Sequence, residues 1–109
     1  MELQYCTLNP ETELKKIVKS HGRWVDSSLY IYFNDIDSFR SIYGEIFYGG
    51  TYQNLHSGDV DIYGVNYYSP TQLKDIMLTI EAQKPLEYEV ILEWLKNGEF
   101  FNGFYILGI

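Results

Sequence analysis

The sequence predicts an α+β domain: a small, mainly antiparallel sheet packed against about four helices. Apolar residues recur at helical spacing in some stretches and at strand alternation in others. Proline, glycine and asparagine punctuate the boundaries between them. The length, 109 residues, suits one domain spanning 1–109, and a chain of that size buries roughly 65% of its unfolded surface without metal or disulfide staples.

The elements follow in order. Asn9-Pro10-Glu11 reads as a helix start, because asparagine accepts a bond from an orphan amide and proline suits the first helical position. Leu14, Ile17 and Val18 give that helix one apolar side, and Gly22 is its expected stop. Leu29 to Phe33 is β-branched and aromatic, hence a strand, with Tyr30 and Tyr32 on one face and Ile31 and Phe33 on the other. Asp37 to Tyr48 carries Phe39, Ile42, Tyr43, Ile46 and Phe47 at helical spacing and ends at Gly49-Gly50. Residues 51–58 read as a polar loop and Val60 to Tyr68 as an alternating strand. Ser69-Pro70-Thr71-Gln72 is a capping box that starts a third helix. Pro85 separates it from a fourth, whose apolar side is read as Leu86, Val90, Ile91, Trp94 and Leu95. Phe100 to Leu107 is expected as the last strand, with Gly103 marking a bulge or a close approach.

Composition bounds the chemistry. Cys6 is the only cysteine, so no internal disulfide is possible and a reducing compartment fits. Met1 to Thr12 lacks the apolar core of a signal peptide, and no apolar run approaches the ~20 residues that span a bilayer. The expectation is a cytoplasmic protein with no membrane partner. A net charge of −7 opposes binding to nucleic-acid phosphates and favours a basic partner. The one basic stripe, Lys15, Lys16, Lys19 and Arg23, is offset by Glu11 and Glu13.

Motifs for catalysis fail one by one. Cys6 and the two histidines, His21 and His56, sit in no nucleophile motif. Asp35-x-Asp37 is not a calcium loop, since Arg40 and Ile46 occupy the positions that need glycine and glutamate. Gly49-Gly50 lacks the lysine and helix of a phosphate cradle. His56, Asp59 and Asp61 are near enough in sequence to suggest a cation site. Turn-forming aspartates beside Gly58 explain them more simply, and no metal or cofactor is expected.

What remains is an asymmetry. Residues 25–68 hold six acids, Asp26, Asp35, Asp37, Glu45, Asp59 and Asp61, against Arg40 alone. Eight of the 11 tyrosines lie there too. Tyrosine supplies large amphipathic contact area, and carboxylates steer basic partners.

The stretches Lys84-Pro85-Leu86-Glu87-Tyr88 through Glu93-Trp94-Leu95, and Asn102-Gly103-Phe104-Tyr105-Ile106-Leu107-Gly108, complete a general likeness of size, acidity and aromatic content. In these respects the chain resembles the immunity proteins of bacterial polymorphic-toxin and contact-dependent growth-inhibition systems. That class has no common fold or diagnostic motif, so the likeness transfers no residue roles. It implies a protein that binds one cognate toxin domain, often a basic nuclease, and occludes its active site. On the charge and tyrosine pattern, Asp35, Asp37, Tyr52, Asp59, Asp61, Tyr67 and Tyr68 are expected to contact the partner, the chain itself being a monomer or weak homodimer. Two alternatives stand beside this: a phage-type inhibitor or nucleic-acid mimic, and a small enzyme with a site near His56, Asp59 and Asp61.

Overall fold

The computed structural model describes residues 1–21, 26–32 and 36–108. Among the described residues six strands and four helices follow in the order β1 (Glu2–Tyr5), α1 (Leu14–Ile17), β2 (Leu29–Tyr30), α2 (Ile36–Tyr43), β3 (Gly50–Thr51), β4 (Ser57–Gly58), β5 (Val65–Tyr68), α3 (Pro70–Gln83), α4 (Tyr88–Asn97) and β6 (Phe104–Leu107). The strands form one antiparallel sheet in the order β2-β1-β6-β5-β3-β4. The α+β class is as the sequence predicts.

Alternation along the strands divides the sheet into two faces. The register pairs Leu3 with Ile106, and Phe104 with both Tyr5 and Tyr68. These side chains face the main core, where α2, α3 and α4 contribute Phe39, Tyr43, Leu73, Ile76, Ile80, Ile91, Trp94 and Leu95. Tyr105 pairs with Gln4 and Tyr67 on the opposite face. There Tyr67 and Tyr105 meet Cys6, Ile17 and Val18 in a second, smaller core at α1.

Several elements differ from expectation, each for a local reason. The first helix is only Leu14–Ile17, because Asn9 closes a turn: its Oδ1 accepts from the Glu11 amide at 2.8 Å and its carbonyl from the Thr12 amide at 2.9 Å. Gly22 lies outside the described residues. β1 was unanticipated; the 4-residue strand joins the sheet between β2 and β6. β2 is shorter than Leu29–Phe33, and Phe33 also lies outside the described residues. Ile31 is buried as expected, while Tyr30 and Tyr32 are exposed and meet edge-to-face at 4.8 Å. The expected loop 51–58 contains the small β3–β4 hairpin. The expected strand Val60–Tyr68 is strand only from Val65, because residues 61–64 turn: the Asp61 carboxylate accepts from the Tyr63 amide at 3.0 Å. Asp59 and Asp61 therefore do not share a strand face. α2 ends at Tyr43, yet Ile46 and Phe47 are buried beyond it. Phe100 precedes β6 and is fully exposed.

The capping box is present in full. Ser69 Oγ accepts from the Gln72 amide, and Gln72 Oε1 accepts from the Ser69 amide. Gln72 Nε2 also donates to the Gly49 carbonyl at 2.8 Å, tying the start of α3 to the turn before β3.

Buried tyrosine hydroxyls brace the two cores. Tyr68 donates to the Phe47 carbonyl, Tyr67 to that of Asn102 and Tyr105 to that of Ile17, each at 2.7 Å, and Tyr43 donates to the Leu86 carbonyl. Burial pushes the Tyr43 phenol up to about 12, helped by the negative charges of Glu87 and Glu89, and raises Tyr67, Tyr68 and Tyr105 further. In the unfolded chain the same phenols ionise near pH 10. Stability should be level with respect to these groups below pH 10 and fall as pH rises from 10 through 12, since the unfolded state loses those protons first. Denaturant midpoints measured on either side of pH 10 check this. A midpoint indifferent to pH there would contradict the burial of these phenols.

Candidate protein-binding surface

Three acids and two tyrosines from the acidic middle of the sequence are brought to one place. After α2 the chain turns through residues 44–49 into the β3–β4 hairpin, and then runs from Asp59 into the turn before β5. Between these segments lies a concavity of about 590 Å³ lined by Arg40, Gly44, Glu45, Tyr48, Asp59 and Val60. That volume is within the range of ligand-sized clefts. Arg40 lies in the last turn of α2, and Gly44 and Tyr48 follow in the turn after it. Val60, which is buried, also lines it.

The hairpin places Tyr52 against this region. Its amide donates to the His56 carbonyl and its carbonyl accepts from the Leu55 amide, which closes the hairpin turn. The Tyr52 hydroxyl reaches past Gly58 to donate to the Asp59 carbonyl. A Cβ at Gly58 would lie 2.9 Å from that hydroxyl oxygen, so a side chain there would push the Tyr52 hydroxyl aside. Burial raises the Tyr52 phenol above its ordinary range, and the charges of Asp59 and Asp61, then the neighbouring Tyr48, add to the rise.

The next turn is fixed from beneath by Asn66. Its side chain is fully buried, accepts from the Asp61 amide at 2.7 Å, and donates to the carbonyls of Asp61 and Ile106 at 3.0 Å each. The loop bearing Asp59 and Asp61 is thereby tied to the central strand β6.

The charges are unbalanced. Glu45 and Asp59 share the concavity with Arg40, the one cation of its lining among the described residues, and Asp61 follows in the next turn. The ion pairs among the described residues, Lys15–Glu13 and Lys96–Glu81, lie elsewhere. Asp61 is partly engaged through its bond to Tyr63. The Glu45 and Asp59 carboxylates have no hydrogen-bonded or ionic partner among the described residues. No group of three or more His, Cys, Asp or Glu side chains among those residues is placed to hold a metal ion. His56 is exposed, its amide bonded to Asn54 Oδ1. Cys6 is buried, its sulfur 3.4 Å from the Tyr105 hydroxyl oxygen.

Compared with protein-family models, with curated proteins and with solved structures, the chain matches none. No described helix is long and apolar enough to cross a membrane.

The expected contact residues divide accordingly. Tyr52, Asp59 and Asp61 come together. Asp37 is exposed in the first turn of α2, one turn before Arg40. Asp35 lies outside the described residues. Tyr67 and Tyr68 require correction: they are 3% and 0% exposed, one in each core, and their hydroxyls are bonded to backbone carbonyls. Neither is available to a partner in this fold. Alternation explains why, since strand β5 is covered on both faces. Arg40, Glu45 and Tyr48 were missed as a group; Arg40 and Tyr48 lie on the i, i+4 row through Gly44, Glu45 lies beside it, and the apolar row Phe39, Tyr43 and Phe47 was the stronger pattern.

Proposed function

We propose that this chain is a binding protein that neutralises a basic protein partner, in the manner of a toxin-immunity protein, through the concavity between α2 and the β4–β5 connection. One observation carries the reading: the unpartnered Glu45 and Asp59 carboxylates share a concavity with Tyr48, and Tyr52 stands beside them. Carboxylates at such a rim accelerate encounter with a cationic surface, and aromatic rings supply contact area once it docks. A nuclease active site or substrate groove has the required positive charge. The general resemblance to immunity proteins in size and acidity agrees with this chemistry.

The test uses the basic protein captured from the native host. The variant Glu45→Gln/Asp59→Asn should associate about tenfold more slowly than the wild type, with a flatter dependence of association rate on salt. Stopped-flow association at several ionic strengths reads both effects. Unchanged rates and an unchanged salt slope would remove the concavity from the interface.

A further inference from the structure

The connection between α3 and α4 has an unusual conformation. Lys84 and Glu87 both occupy the left-handed region, with φ of 47° and 60°. For residues with a Cβ that conformation is strained. Between them the Leu86 carbonyl is held by the Tyr43 hydroxyl. The result is outward display of apolar side chains: Leu86 is 67% exposed, and Val90, one turn further on, is 57% exposed. Both were expected on the apolar side of the fourth helix. The helix begins only at Tyr88; Ile91, Trp94 and Leu95 are buried as expected, and Leu92 joins them, while Leu86 and Val90 are left outside.

Leu86 and Val90 are bordered by Glu87, Glu89 and Glu93, all exposed. Lys96, the one cation of α4, pairs with Glu81 of α3 at 3.5 Å rather than with any of them. The loop before α4 and the first turn of the helix therefore carry a small apolar patch, Leu86 and Val90, on the solvent side, with a surplus of carboxylates around it. A second copy of the chain, or an anionic lipid surface, would bring negative charge against these glutamates and be repelled.

We propose that this outer face of α4 and its preceding loop is a docking surface for a basic amphipathic helix of a partner protein. The apolar stripe of that helix packs on Leu86 and Val90, and its lysines or arginines meet Glu87, Glu89 and Glu93. The surface shares no residue with the concavity at Glu45 and Asp59, so each stands or falls on its own measurement.

The probe is a synthetic helical peptide of leucine and lysine with leucines at i, i+3, i+4 and i+7. A scrambled peptide of the same composition serves as control. Titrated into the isotopically labelled full chain, the amphipathic peptide should give saturable amide shifts confined to residues 84–97. Leu86→Ser/Val90→Ser should weaken binding at least about tenfold. Because both side chains are exposed, the thermal melt of that variant should stay unchanged. Glu89→Gln/Glu93→Gln should weaken binding and flatten its salt dependence.

Equal binding of the scrambled peptide, shifts centred on Glu45 and Asp59, or indifference to Leu86→Ser/Val90→Ser would overturn the proposal. So would a concentration-dependent dimer abolished by Leu86→Ser, which would assign the face to a second copy.

Discussion

Replacing Asn66 with alanine is expected to lower the unfolding free energy by about 3 kcal/mol, since three buried hydrogen bonds each contribute on the order of 1 kcal/mol and their partners are left unsatisfied. The substitution removes one acceptor and two donor contacts at once, to the Asp61 amide, the Asp61 carbonyl and the Ile106 carbonyl. Water cannot replace them without entering a fully buried site. The loss should also be local. The turn at residues 61–64 would remain joined to β6 through the Gly108 amide and Gly64 carbonyl, but lose its other tie at Asp61. Urea denaturation reads the global effect, and exchange of the Asp61 amide reads the local one. A loss below about 1 kcal/mol, with Asp61 still protected, would contradict the role given to Asn66.

Gly103→Ala is expected to be at least as damaging. Gly103 enters β6 at φ +78°, in the left-handed region. An added Cβ would lie 2.0 Å from the Tyr68 carbonyl oxygen and 3.0 Å from the Tyr67 hydroxyl oxygen. The Gly103 carbonyl accepts from the Cys6 amide at 3.0 Å, so the residue is held between β1 and β5. Relief requires the central strand to move away from one of its neighbours. Conformational strain of roughly 1–2 kcal/mol adds to that displacement, and a total of about 3–5 kcal/mol is expected, a large share of the 5–15 kcal/mol typical of a domain this size. The unfolding midpoint in urea reads it. A variant within about 1 kcal/mol of wild type would mean that the close approach relaxes easily.

Much of the fold was legible because its signals are local. The Ser69–Gln72 box and the row Leu73, Ile76, Met77 and Ile80 define α3 without help from tertiary structure. The close approach at Gly103 was also visible in the sequence, though not what it approaches. The remainder depended on distant partners. β3 and β4 are two residues each and exist only through pairing with each other and with β5. β1 alternates as a strand should, but four residues beside a turn carry little signal until the pairing with β6 supplies it. The outward rotation of Leu86 and Val90 follows from where α4 starts, which two left-handed residues decide.

The tyrosines teach the same lesson more sharply. Their concentration among the acids of residues 25–68 suggested a contact surface. Tyr43, Tyr67, Tyr68 and Tyr105 are instead buried, each with its hydroxyl on a backbone carbonyl. A phenol serves here as apolar filling that also satisfies a backbone carbonyl. Tyr48 is exposed and Tyr52 half-exposed, and these two remain beside the acids. Composition located the acidic, aromatic region in the middle of the chain. Only the alternation of β5 between two covered faces separated the residues that build the scaffold from those left on its surface.

The most direct test of the proposed function is hydrogen exchange on the full chain, alone and saturated with its captured basic partner. The account predicts new protection across residues 44–63, covering Glu45, Tyr48, Tyr52 and Asp59. It also predicts that Glu45→Gln/Asp59→Asn diminishes that protection at equal concentration. Protection confined to other parts of the chain, with residues 44–63 exchanging as in the free protein, would contradict it.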